Sequence, residues 1–292
     1  MHPLGMTRTS VQRNHAFIGT DGHVQAPLPG WTDTQGIILI SPQMGAEFTE
    51  YFALMDVGGT AGAPLPGVQR FLYVLEGIIT LSVDTEDEPT EDEPAVLEPG
   101  NYAYLPADTP HSIVSGGTSQ LVLIEKRFIP LAGVGQPSVV IGHEQDVESF
   151  GFMGDPDAQL KLLLPDVPEF DMGVNLFRFQ PGAALPFVET HIMEHGLLLT
   201  EGQGIYRLDD CWYPIRAGDV IWMGPYCPQW FTAIGKTPSA YLYYKNVNRD
   251  PLDGGHGVSG SITGGAMSGG MVFGGTVSAG NVISADKVEV RK

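Results

Sequence analysis

Apolar residues in this chain come in short blocks, broken by glycine, proline and acidic residues. Gly36-Ile-Ile-Leu-Ile-Ser41 and Phe48-Thr-Glu-Tyr-Phe-Ala-Leu-Met55 each have the length and composition of a buried strand. Gln69 to Gly77 and Ile78 to Val83 predict a strand, a glycine turn and a second strand. Leu121-Val-Leu-Ile-Glu-Lys-Arg-Phe128 predicts a strand that closes the first half, and Met172-Gly-Val-Asn-Leu-Phe-Arg-Phe179 an alternating one in the second. Between these elements, residues 1–30 are polar and punctuated by Gly19, Gly22, Pro27, Pro29 and Gly30, which predicts an irregular arm. Asp84 to Glu93 is acidic with one proline, Pro89, and predicts a solvated loop. Pro130 to Asp157 reads as a connecting loop, with one helical turn near His143-Glu-Gln-Asp-Val. From Gly254 to Gly280 glycine dominates and little surface can be buried, which predicts a flexible tail across 253–292. Met271-Val-Phe and Lys287-Val-Glu-Val within it could add strands to a partner.

Composition sharpens this picture. The 292 residues are 42% hydrophobic and only 17% charged, enough for a sizeable core in one large or two small domains. With 38 glycines and 23 prolines, many short strands and turns are favoured over long helices. A net charge of -19 argues against nucleic acid or an anionic membrane as partner, while leaving a small-molecule substrate open. Cys211 and Cys227 have no CxxC spacing, so buried free thiols are expected rather than a disulfide framework. Met1-His-Pro-Leu-Gly-Met has no apolar leader and no run approaches a membrane span, so a cytoplasmic location is the expectation.

The chain also repeats. Gly100-Asn-Tyr-Ala-Tyr-Leu-Pro106 to His111 matches Gly218-Asp-Val-Ile-Trp-Met to Gln229 at an offset of 118, and Gly77 matches Gly202 at 125. The acidic stretch after Val83 absorbs the difference of seven residues. Duplication with a loop insertion is what two fused β-barrels would show.

Candidate chemistry gathers in the second copy. In Glu189-Thr-His191-Ile-Met-Glu-His195 the carboxylate and both imidazoles fall on odd positions, so a β-strand would project all three from one face. Gln229 could add a fourth ligand. Each has an ordinary core reading taken singly, as a hydrogen-bonded histidine or a salt-bridged carboxylate; four together at motif spacing do not. Two nitrogens and two oxygens without a thiolate exclude a Cys-rich zinc site and suit Mn(II) or Fe(II). Mapping Glu189, His191 and His195 back by 125 gives Pro64, Pro66 and Arg70, none of them a ligand in kind; His111, left alone, is expected to be structural. On the face shared by Tyr241, Tyr243 and Lys245, a lysine inside a barrel is costly unless it meets an anion.

Glu189-x-His191-x3-His195-x6-Gly202 and Gly218-x10-Gln229 resemble the two cupin motifs, with Glu in the first His place, His in the Glu place and Gln in the last His place. That permutation, with Glu-Gly-Gln-Gly-Ile-Tyr-Arg-Leu, Ala-Gly-Asp-Val-Ile-Trp-Met and Tyr-Lys-Asn-Val-Asn-Arg-Asp-Pro-Leu, resembles the (S)-ureidoglycine aminohydrolase family from Glu189 to about Pro251. The resemblance implies an all-β fold of two tandem cupin barrels: an arm (1–30), an N-terminal cupin without metal (31–135), a C-terminal cupin with the metal (136–252) and the tail. It implies Mn(II) on Glu189, His191, His195 and Gln229, and substrate contacts from Glu189, Gln229, Tyr241 and Lys245. Tyr206 and Phe177 are expected to line the same pocket, and Lys245, Glu189 and Tyr241 to carry protons. The implied reaction turns (S)-ureidoglycine and water into (S)-ureidoglycolate and ammonia in purine (allantoin) degradation. A metal-dependent bicupin dioxygenase and a non-enzymatic ligand-binding cupin are the competing readings. Self-association into a homo-oligomer is expected of the two-cupin chain.

Overall fold

The computed structural model describes residues 7–83 and 94–250; the acidic segment and the glycine-rich tail lie outside the described residues. Among these residues the fold is all-β, with three short 3-10 turns and no α-helix. Strands from Ala26 to His143 form one ten-stranded sheet; those of the second half form a three-stranded sheet and, with two short strands of the N-terminal arm, an eight-stranded one. The result is the expected pair of tandem barrels. No helix among the described residues is long and apolar enough to cross a membrane.

Three cores follow from strand alternation. On the Ser239–Asn246 strand, Tyr241 and Tyr243 point into the second barrel while Leu242 and Tyr244 point out of it. On Ser119–Arg127, Leu121 and Leu123 fill the first barrel, and Val122 and Ile124 face outwards. The outward residues of both halves meet in one seam, where Phe48 and Tyr244 lie 4.2 Å apart between ring centres. Strands buried on both faces read as continuous apolar runs, which is why Leu121-Val-Leu-Ile and Tyr241-Leu-Tyr-Tyr show no alternation.

The repeat is visible in the turns. Gly77 and Gly202 have φ of +83° and +72°, and Gly100 and Gly218 have +92° and +88°, a backbone region that glycine enters without steric cost. Ser119 Oγ accepts from Ile78 N and Ser239 Oγ from Gln203 N at the matching places. With Ser119 on Ser239, Glu125 falls on Lys245. Arg70 pairs with Glu125 across its strands as His195 pairs with Lys245. In the first barrel the Arg70 guanidinium lies at the counterpart of His195. It bonds Glu125 Oε1 at 2.8 Å, the Gly62 carbonyl at 2.9 Å and His111 Nε2 at 3.0 Å.

Two expectations need correction. The arm is not irregular throughout: Ser10–Val11 and His15–Ile18 are strands, and His15–Ile18 pairs with Val220–Met223 of the second barrel. A two- to four-residue strand added to an existing edge needs no hydrophobic period of its own, so the sequence carried no signal for it. Pro130 to Asp157 is likewise not a plain loop. Val140–His143 pairs back onto Asn101–Leu105 of the first barrel, across the boundary expected at residue 135. Ser149–Phe152 and Asp155–Leu162 form a hairpin through Met153 and Gly154, both at positive φ as such a tight turn demands. The helical turn at Glu144–Asp146 is present.

Candidate metal centre

Three neighbouring strands build the floor of the site. Across Met172–Phe179, Ser239–Asn246 and His195–Glu201 the rungs are Gly173–Lys245–His195, Asn175–Tyr243–Leu197 and Phe177–Tyr241–Leu199. Of the expected strand Glu189–His195, only His195 belongs to a regular strand. Glu189 instead forms an isolated bridge with Gln229, through Glu189 N to Gln229 O at 2.8 Å and Gln229 N to Glu189 O at 2.9 Å. Tyr226 N donates to His191 O at 2.7 Å, and Thr190 Oγ1 donates to Tyr226 O at 3.0 Å. These bonds stitch the loop bearing Glu189 and His191 to the start of the Gln229–Ala233 strand and the turn before it. Convergence therefore comes from this loop-to-strand pairing, not from alternation along one strand. Glu194 faces away, into the seam, where it accepts from Glu47 N at 3.1 Å and Trp222 Nε1 at 3.3 Å.

Glu189, His191, His195, Gln229, Tyr206, Tyr241 and Phe177 line one cavity of about 370 Å3, its open mouth included. Lys245 is buried on the same strand face but is not part of that lining; its aliphatic stem runs over Gly173, and its charge reaches Glu189 and Asp166. Phe152, Leu197, Met223 and Tyr243 also line the cavity. Tyr243 was legible from its shared face with Tyr241. Phe152 and Met223 were not, because strand pairing alone brings them in.

The hydrogen bonds fix the imidazole protons. His191 Nδ1 lies 3.1 Å from the Met193 carbonyl and His195 Nδ1 lies 3.0 Å from the Tyr244 carbonyl. A carbonyl only accepts, so both rings carry their proton on Nδ1 and present a bare Nε2. Those two Nε2 atoms face each other at 3.1 Å. Burial pushes the His191 imidazolium down to about 4 and that of His195 well below its ordinary value, so neither ring gains the proton that would relieve the contact. Gln229 Nε2 lies 2.7 Å from His191 Nε2, and Gln229 Oε1 accepts from Tyr206 OH at 2.9 Å. Turning that amide over would aim its oxygen at the same point. Glu189 Oε1 is buried without a hydrogen-bond partner, and burial lifts this carboxyl to about 8 against the pull of Lys245.

Two facing lone pairs and an unsatisfied carboxylate oxygen are what a cation would satisfy. Two nitrogens about 2.1 Å from one ion at a right angle would lie about 3 Å apart, close to the 3.1 Å seen. Among the described residues no three His, Cys, Asp or Glu groups already close on one point. An ion would therefore have to draw Glu189 in. The donor set fits a metal, in keeping with a cupin fold.

A cupin domain model matches residues 51–125, in the barrel whose ligand positions hold prolines and Arg70. A probable (S)-ureidoglycine aminohydrolase of Oryza sativa subsp. japonica is 44% identical over 85% of this chain and 78% of its own length. The (S)-ureidoglycine aminohydrolase of Escherichia coli strain K12 is 34% identical over 81% of this chain and 90% of its own. The crystal structure of protein Ylba from E. coli superimposes with a TM-score of 0.73 at 32% identity, covering 84% of this chain and 96% of that one. With two buried imidazoles, a carboxylate and an amide converging in the second of two barrels, and with likeness at this level over most of its length, the chain belongs to the (S)-ureidoglycine aminohydrolase family.

Proposed function

We propose that this chain hydrolyses (S)-ureidoglycine to (S)-ureidoglycolate and ammonia, with Mn(II) held by Glu189, His191, His195 and Gln229. The observation that carries the reading is the pair of bare Nε2 atoms at 3.1 Å beside the unsatisfied Glu189 carboxylate, in a chain of this family. When bound, the ion would supply Lewis acidity and a fixed anchor for substrate or water. The first barrel takes no ion on this reading, because Arg70 already provides a positive charge between His111 and Glu125.

The reaction breaks the bond from the substrate's tetrahedral carbon to its amine and makes one to a water oxygen. One proton must leave the water and one must reach the departing nitrogen. Glu189 is one candidate for the group that takes the water proton. Lys245 is drawn down by burial, with Asp166 and Glu189 opposing, and supplies a cation for the substrate carboxylate and a transferable proton. Burial holds Tyr241 well above its ordinary range, so it acts only as a donor. Tyr206 holds the Gln229 amide, and Phe177 and Tyr241 pack edge to face at 5.6 Å to keep water out of the wall. On this reading the chain works in purine (allantoin) degradation, with a cytoplasmic location and self-association into a homo-oligomer as parts of the proposal.

The test is ammonia release from freshly made ureidoglycine, without oxygen, with and without added manganese, after subtracting the uncatalysed rate. Release only at background, with oxygen uptake instead, would point to a dioxygenase and reject the reading. Lys245→Met should abolish turnover while bound manganese stays at one per chain; full activity would remove Lys245 from the chemistry.

A further inference from the structure

Among the polar groups that line the cavity, Tyr243 is the one this reading leaves without a task. Its neighbour is informative. Asn175 sits directly across the strand pair and is 2% exposed, and its Nδ2 donates to Tyr243 OH at 2.9 Å. An amide NH2 group only donates, so the phenol oxygen is the acceptor and its own hydrogen must go elsewhere. The side chain lines the cavity, and its ring stands edge to face against His195 at 5.5 Å between centres. Tyr206, by contrast, is already tied to Gln229. Asn175 is the one polar side chain in the run Met172-Gly-Val-Asn-Leu-Phe177, and the bond to Tyr243 offsets part of its burial cost.

We propose that Asn175 aims the Tyr243 hydroxyl hydrogen into the cavity, where it binds the ureido carbonyl oxygen of the substrate. Tyr243 is then a specificity-determining residue and Asn175 a positioning residue that acts through it. The inference rests on the ureidoglycine reading for the identity of the acceptor. Along the strand, residues two apart lie about 7 Å from each other. With the carboxylate near the Lys245 rung, the ureido group reaches the next rung, which is that of Asn175 and Tyr243. A cavity wall built to donate to this oxygen rejects ligands that lack it, because Tyr243 would be left with an unanswered donor.

The probe is N-carbamoylglycine, the substrate without its reacting amine, which can bind but cannot release ammonia. Its affinity for the manganese-loaded protein, by calorimetry, should fall about tenfold in Tyr243→Phe, the size expected for one lost hydrogen bond. Acetate, a carboxylate without a ureido group, should bind both proteins alike. Asn175→Asp reverses the polarity of the aiming bond, since a carboxylate takes the phenol hydrogen for itself. It should match Tyr243→Phe, and the double variant should lose nothing further. Asn175→Leu, which neither aims nor captures the hydrogen, should lose less than Asn175→Asp and guards against a misfolded Asp variant. Manganese content and melting temperature should stay at wild-type values in Tyr243→Phe. Unchanged N-carbamoylglycine affinity in Tyr243→Phe, wild-type affinity in Asn175→Asp, or equal losses for acetate would each overturn the assignment. A wild type that binds the probe with this pattern but releases no ammonia would sink the proposed reaction and leave Tyr243 standing.

Discussion

Gly173 faces Lys245 across the strand pair, and a Cβ there would come within 3.2 Å of Lys245 Cε and 3.5 Å of Cγ. The glycine is therefore read as clearance for the lysine stem, not as a turn. Gly173→Ala should push Lys245 aside by a few tenths of an ångström, with kcat for ammonia release falling about tenfold, since small misplacements of a reacting group are costly. Bound manganese and melting temperature should barely change, because neither the ligands nor the core is touched. Wild-type kcat in this variant would show that Lys245 has slack and that its placement is not critical. At this scale the chain itself made Glu189, His191, His195, Gln229 and the Tyr241 face legible, because each lies at a short fixed spacing from a motif glycine. Gly173, Asn175 and Met223 were not legible: their roles exist only opposite residues tens of positions away.

At the scale of elements, the arm is the part that the sequence pattern misjudged and the part with the clearest energetic anchor. Arg8 makes a bidentate bond to Asp219 at 2.8 and 2.6 Å, and that carboxylate has no exposed side-chain surface. Asp219 belongs to the same Gly-Asp turn that opens the second motif, and it also accepts from Thr20 N and Arg216 N. The arm then pairs His15 with Met223, which lines the cavity, and Asn14 O accepts from Gly224 N. Arg8→Ala leaves a buried carboxylate short of donors. Arg8 is itself one-third exposed, which discounts the loss to about 1–3 kcal/mol. The melting temperature should drop by about 2–10 °C at neutral pH. Arg8→Lys should recover only part of it, because a lysine cannot grip both oxygens. An unshifted melting curve for Arg8→Ala would mean the arm rides on the barrel without holding it.

At the scale of the whole molecule, the seam between the barrels carries a buried acid. Glu50 is 1% exposed, neither of its carboxyl oxygens has a hydrogen-bond partner, and burial lifts it to about 8. It lies against the backbone of Gly196 on the opposing strand, where a Cβ would stand 2.5 Å from its Oε2. Below the ordinary carboxyl range this acid is neutral in both folded and unfolded chains and adds no pH-dependent cost. As pH climbs towards 8, the unfolded chain ionises it and the folded chain does not, so stability is lost across that window. Chemical denaturation midpoints should therefore fall between about pH 5 and 8, and Glu50→Gln should flatten this slope. A slope identical in the Gln variant would assign the pH dependence to other groups, of which Glu194, lifted to about 7 in the same seam, is the nearest in kind.

Short-range facts were legible in the order of residues alone: the strand blocks, the duplication, the candidate ligands of the second copy and their absence from the matching positions of the first. Each depends on spacing within a few tens of residues and on the chemistry of one side chain. Tertiary structure alone decided which of Glu189 and Glu194 turns into the cavity and which into the seam. It also decided that the arm adds to the second barrel, and that Arg70 sits among Glu125, His111 and Gly62 at the counterpart of His195. The physical reason is the same in all three cases. A side chain's facing is fixed by strand register and by contacts across the sheet, and those bring together residues that no local pattern relates.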